Sequence, residues 1–238
     1  MTVIAIVEHE AQCPPAHVGT WLTDAGATLD VRRPWAGDEL PDLDGCDGLV
    51  VLGGSMGADD DELHHWLAPL KQLVRDAIAR EVPLLGICLG HQLIASALGG
   101  AVAPNPPGQQ VGLFDVGWLP AAEDDELVAG YGAVRGVQWN HDIVTRLPEG
   151  AVALAETAQG ELQVARFGRR AWGIQLHPEV DEPVVTSWAA GDRDDHLHRG
   201  IDQEALIAQI RDARHELDDA WRPLADRFVA LLAGAGSH

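Results

Sequence analysis

The sequence predicts an α/β fold, doubly wound, with a mostly parallel sheet, an antiparallel flank and a C-terminal helical extension. Three observations predict it. Strand-like apolar runs alternate with amphipathic helical stretches from Thr2 to Gly100, the pattern of a parallel sheet covered by helices. Two of those runs end in glycine-bearing turns, at Gly53-Gly54 and at Gly86-Ile87-Cys88-Leu89-Gly90, and in such sheets the ligand crevice opens at the carboxyl ends of the strands. Beyond Gly100 the pieces are short, β-rich and broken by Pro and Gly, as in a mixed or antiparallel flank.

In chain order, Thr2 to Val7 reads as the first strand, Ala16 to Ala25 as a helix closed at Gly26, and Thr28 to Val31 as a second strand. A loop rich in Pro, Gly and acid leads to a buried strand, Gly48 to Leu52, ending in Gly53-Gly54-Ser55-Met56-Gly57. Glycines at a strand end let main-chain N–H groups approach a ligand. A phosphate loop is the rival reading, but neither Lys-Ser/Thr nor G-x-G-x-x-G follows, so an anion or oxyanion cradle is expected. Glu62 to Arg80 is expected to be one helix with Leu63, Trp66, Leu67, Leu70, Leu73, Val74 and Ile78 on its apolar side.

Pro83 to Ile87 has the unbroken apolar character of a strand buried on both faces, and a helix follows to Gly99-Gly100. The flank is expected in Leu113 to Leu119, Val134 to Trp139, Val152 to Glu156, Leu162 to Phe167 and Ala171 to Leu176. The tail from Ile201 carries Leu206, Ile210, Ala213, Leu217, Trp221, Leu224, Phe228 and Leu231 at helical spacing, with Pro223 starting a second helix or kinking the first. This divides the chain into a domain over 1–190 and a helical extension over 191–238 packed on it, with a homodimer or partner surface as the alternative role of the tail.

Composition narrows the function classes. At 238 residues the chain fits one large α/β domain. A formal charge of -21, from 37 acidic and 16 basic side chains, argues against nucleic acid as a partner. No run reaches the roughly 18 apolar residues of a membrane helix and no basic leader follows Met1, so a cytoplasmic protein without a membrane partner is expected. Cys13, Cys46 and Cys88 have neither paired nor metal-type spacing, which suits a reducing compartment.

The chemistry centres on Cys88. Glycines two residues before and two after it give the spacing of a strand-to-helix nucleophile elbow with sulfur in place of oxygen. At a helix amino end the partial positive charge favours the thiolate. A thiol nucleophile needs a base with an orienter, and His177-Pro178-Glu179 supplies one: proline holds His177 extended, so His177 and Glu179 point to the same side.

With Gly53-Gly54, Gly86-Ile87-Cys88-Leu89-Gly90-His91-Gln92 and His177-Pro178-Glu179 in this order, the chain resembles the class I glutamine amidotransferases of the Cys-His-Glu triad type. It is most similar to free-standing members like the amidotransferase domain of GMP synthase, which share the pattern around Trp66 and a helical tail. The resemblance implies a flavodoxin-like sheet, Cys88, His177 and Glu179 as catalytic residues, and an oxyanion hole from the amides of Gly54 and Leu89. It also implies substrate contacts at Gly53, Ser55, Gln92, Asn140, His141 and Asp142. Hydrolysis of the glutamine side-chain amide through a cysteine thioester, with no cofactor and no metal, is the expected reaction, and a separate synthetase or acceptor enzyme would take the ammonia.

One segment departs from the family pattern: Trp139-Asn140-His141-Asp142 stands where relatives carry an aromatic or Ser followed by His-Gly-Asp. That opens a second reading, a hydrolase of γ-glutamyl peptides or amides using the same triad, beside a third, a silent binding or regulatory protein. His141 is a weaker candidate base, lacking a following Pro-Glu orienter, and His91 is expected to pack or cap on the elbow helix. Asp59-Asp60-Asp61-Glu62 with His64-His65, and Asp194-Asp195-His196-Leu197-His198, are metal-like in composition but read as a helix's acidic first turn and a solvated loop.

Overall fold

In a computed structural model that describes residues 2–233, the strands are β1 Val3–Val7, β2 Thr28–Arg32, β3 Gly48–Val51, β4 Leu84–Ile87, β5 Ala101–Pro104, β6 Gln110–Asp115, β7 Gly117–Trp118, β8 Arg135–Asn140, β9 Asp142–Arg146, β10 Val152–Glu156, β11 Leu162–Gly168 and β12 Ala171–Ile174. The helices are α1 Ala16–Asp24, α2 Leu67–Ala79, α3 Leu89–Ala97, α4 Glu182–Gly191, α5 Arg193–Arg199, α6 Gln203–Asp212 and α7 Arg214–Ala233. Met1 and residues 234–238, the end of the expected extension, lie outside the described residues. The main sheet runs β2-β1-β3-β4-β12-β11-β10-β7, parallel through β12 and antiparallel beyond it. Its first five strands follow the flavodoxin-like order.

Both faces of the inner parallel strands β1, β3 and β4 are buried, edge strand β2 being only half-buried, and the residues divide by alternation. Ile4, Ile6, Val50, Leu52, Leu85 and Ile87 join one core with α1 and α7, while Ala5, Val7, Leu49, Val51 and Leu84 join the other with α2 and α3. The continuous apolar runs in the sequence are therefore a signature of helices on each side. The carboxyl ends of β1, β3, β4 and β12 open on one edge. There the chain places Glu10, Gly53-Gly54, Cys88 and the segment from Gln175 to Glu179.

Several local expectations are corrected. α2 begins at Leu67, not Glu62, and Leu63 is 77% exposed. The acidic residues before it are hydrogen-bonded into a turn, Asp60 accepting from the Gly57 amide at 2.7 Å and Asp61 pairing with Lys71 at 2.6 Å. Short polar side chains that bond nearby backbone compete with helix, so the apolar spacing of Leu63 and Trp66 does not extend it. The tail breaks at Ala213, with Pro223 inside α7. Residues 193–199 form α5, in which His196 is fully buried and bonded to Gln109 at 3.0 Å, not a solvated loop.

α7 lies in the core through Leu217, Trp221, Leu224 and Phe228. The Trp221 indole donates to the Arg135 carbonyl at 2.7 Å, so the amphipathic stripe also fixes the start of β8. No helix among the described residues is long and apolar enough to cross a membrane.

Candidate functional site

Cys88 joins β4 to α3 with φ 50° and ψ -105°. For a residue with a Cβ this is strained backbone, worth on the order of 1–3 kcal/mol, and the surroundings must hold it. They do so through two hydrogen bonds: the Cys88 amide donates to the Ile174 carbonyl at 2.8 Å, and the Gly90 amide to the Leu52 carbonyl at 3.1 Å. Gly90 packs so closely on β3 that a Cβ there would lie 2.0 Å from the Val51 carbonyl oxygen. The elbow glycine is a steric requirement.

The register of β12 on β4 pairs Ile174 with Ile87, so the residues that follow the two strands meet. Gln175 Nε2 is 3.6 Å from Cys88 Sγ, and its Oε1 accepts from Gln92 at 3.2 Å. β12 ends at Ile174, earlier than the expected Leu176. Beyond a bend, a bridge to β8 holds His177, whose amide donates to the Val137 carbonyl at 2.7 Å.

His177 Nδ1 then meets Glu179 Oε1 at 2.6 Å, with the two side chains 2% and 4% exposed. The Glu179 carbonyl accepts the His17 amide from the first turn of α1, one of the N–H groups a helix leaves unpaired. Gly53 sits between the imidazole and the thiol, its absent Cβ position 3.1 Å from His177 Cε1 and 3.6 Å from Cys88 Cβ. Trp188 covers the imidazole, ring centroids 4.6 Å apart.

Burial by itself would depress the His177 pKa, but the negative charges of Cys88 and Glu179 outweigh it, and the value is raised to about 10. A group whose folded pKa is raised contributes stability that is full below the free imidazole value of 6.5 and is lost as pH climbs toward about 10. Cys88→Ala removes one of the two charges, so the folded pKa of His177 should drop, and the loss of stability above pH 6.5 should be smaller and level off at lower pH than in the wild type. Denaturant unfolding between pH 6 and 10 checks this, and superimposable profiles would show that the sulfur does not charge the imidazole.

Gly54 turns away from β3 with no space for a side chain: a Cβ would come within 2.9 Å of both His9 Cβ and Leu89 Cδ2. Neither its amide nor that of Leu89 donates to a partner among the described residues. His9 behind it is fully buried and receives the Trp66 indole at 3.1 Å, which ties the turn before α2 to the end of β1. Burial, then His64, lowers its pKa to about 3, so it stands neutral beside the cradle.

These groups open into a cavity of about 380 Å³. Gly54, Ser55, Cys88, Gln92 and His177 line it together with Asn140, His141 and Asp142, whereas Gly53 and the Leu89 side chain do not. Gln92 donates to the Asp142 carbonyl at 2.9 Å, and Asn140 to Gln110 and the same carbonyl, both at 3.1 Å. His141 is exposed at the rim and is not joined to Cys88. His91 is buried inside the fold against Phe167.

Several wall residues lie outside the sequence motifs, among them Glu10, Gln109, Trp188 and Asp192, and they reach the site only through tertiary packing. Gln175, beside Cys88 but not in the wall, carries a signal, because it shares the alternation of His177 and Glu179. No three His, Cys, Asp or Glu side chains among the described residues converge as a metal site.

The family model described as glutamine amidotransferase class-I matches residues 21–184. Among curated relatives, a subunit of the glutamine-hydrolyzing GMP synthase of Archaeoglobus fulgidus is 37% identical, the match covering 67% of this chain and 79% of the relative. Gamma-glutamyl peptidase 4 of Arabidopsis thaliana is 31% identical over 87% of this chain and 84% of its own length. The crystal structure of a glutamine amidotransferase from Thermotoga maritima superposes with a TM-score of 0.85 at 25% identity, covering 96% of this chain and 98% of that one.

Proposed function

The chain belongs to the class I glutamine amidotransferase family, and on that premise we propose that Cys88, His177 and Glu179 hydrolyse the side-chain amide of glutamine. The observation that carries the reading is a thiol on a positive-φ elbow sharing one cavity with a buried, carboxylate-bonded imidazole. Cys88 Sγ attacks the amide carbon, and the oxyanion gathers at the Gly54 and Leu89 amides, each worth roughly 3–4 kcal/mol by analogy with other oxyanion holes. His177 passes its proton to the departing ammonia and then deprotonates the water that cleaves the thioester. Glu179 holds the imidazole in place throughout.

Ser55, Gln92 and the Asn140–Asp142 segment are the proposed holders of the substrate's amino-acid end. Residues 1–190 form the amidotransferase domain in this reading, and 191–238 belong to it as an extension. The ammonia goes to an acceptor enzyme on another chain, a role supported by similarity to one chain of a glutamine-hydrolyzing GMP synthase. Incubating the protein with glutamine should release ammonia and glutamate in equal amounts; absence of both would contradict the reading.

A second reading, hydrolysis of γ-glutamyl peptides, is favoured by the departure at His141 and by similarity along most of the chain to a γ-glutamyl peptidase. If His141 crowds the amino-acid end, His141→Gly should lower KM for glutamine several-fold at unchanged kcat. An unaltered KM would show that the position is neutral.

A further inference from the structure

Three carboxylates, those of Glu10, Asp142 and Asp192, line the cavity, no Lys or Arg does among the described residues, and glutamine hydrolysis gives Asp192 no task. Arg199 donates to the Gln109 side chain at 3.0 Å and to Asp195 at 3.2 Å without entering the wall.

The three carboxylates differ in position. Glu10 holds the Ser55 amide and hydroxyl at 2.9 and 2.8 Å, on the Gly54 side. Asp142 follows Asn140, beside Gln92. Asp192 belongs to the His177 side: Trp188 packs on His177, Trp139 packs on Trp188 at 5.9 Å, and the Trp139 indole donates to Asp192 Oδ2 at 2.8 Å. Gln109 donates to the same oxygen, also at 2.8 Å, which leaves Oδ1 open to another donor. Asn140, on the Gln92 side, is 4% exposed, and its buried Oδ1 has no hydrogen-bond partner among the described residues.

In amide hydrolysis the leaving nitrogen sits at the imidazole that protonates it, so a substituent on that nitrogen runs out over Trp188 and Trp139 toward Asp192. We infer that the protein accepts γ-glutamyl amides of aliphatic diamines or polyamines, the methylene chain lying on the two indoles and the distal ammonium meeting Asp192. This rests on the hydrolase reading of Cys88 and His177. Indole faces and the wall's carboxylates both attract an ammonium, which favours it over an uncharged end of the same length. The reaction balances as for glutamine: the C–N bond breaks as the C–S bond forms, the proton on His177 passes to the amine, and water cleaves the thioester to glutamate, freeing Cys88 and returning a proton to His177.

Four substrates test it: glutamine, γ-glutamylglycine, the γ-glutamyl amide of 1,4-diaminobutane, and its uncharged pentylamide analogue. At low salt the diamine amide should exceed the pentylamide in kcat/KM by about tenfold. Added salt should shrink that ratio, and Asp192→Asn should bring it toward one. A ratio of one in the wild type, or a preference that survives both salt and Asp192→Asn, overturns the inference. Should the variant fail to fold, the salt series on the unaltered protein decides. Turnover of glutamine without diamine preference removes this inference and leaves the hydrolase reading standing; no turnover of any of the four removes both.

Discussion

Cys88→Ala is expected to lower γ-glutamyl hydrolysis by on the order of 10⁴-fold or more, with the fold retained. The chemistry requires a covalent intermediate on sulfur, and no hydroxyl or second thiol replaces it at the elbow. Cys46 lies away from the cavity wall and Cys13 is bonded to Glu10 at 3.2 Å, with burial pushing its thiol far above the usual range. Cys46→Ala should therefore keep wild-type turnover, and Cys13→Ala should not abolish it. A steady-state assay of glutamate release across the three variants checks this. Unchanged turnover in Cys88→Ala would remove the nucleophile assignment.

Gly90→Ala should be the most damaging change outside the reacting groups. Its Cβ would lie 2.0 Å from the Val51 carbonyl oxygen, a main-chain atom that cannot step aside without breaking β3 from α3. Overpacking of this kind costs roughly 3 kcal/mol or more, and the displaced helix would carry Cys88 and the Leu89 amide away from the oxyanion site. Urea unfolding should show a lowered midpoint together with lost activity. A variant with the wild-type midpoint and full turnover would mean that the elbow is looser than its packing implies.

The parallel half of the fold and the elbow are legible in the sequence for one reason: both depend on local pattern. Buried strands read as apolar runs, and the turn demands glycine at fixed offsets from Cys88. His177 and Glu179 are equally local, two residues apart on extended chain, and the bond between them follows from that spacing. Short antiparallel strands are harder to read. Among the described residues Ala101–Pro104 and Asp142–Arg146 pair only with each other, with a register irregularity, and neither is long enough to display a period.

Trp188 and Asp192 are illegible for a different reason: they come from α4 and its end, and only the packing of that helix over His177 and against Trp139 brings them to the wall. Where local bonding overrides periodicity, as in the turn before Leu67, the pattern misleads. The Leu63 side chain has the right spacing for a helix that the aspartates prevent.

The most direct test is to quench the protein during turnover of glutamine and locate the acyl group by peptide mass spectrometry. A γ-glutamyl thioester confined to the peptide bearing Cys88 is the predicted result. An acyl group on Cys13 or Cys46, or glutamate release at full rate with no acylated cysteine, would contradict the proposed chemistry.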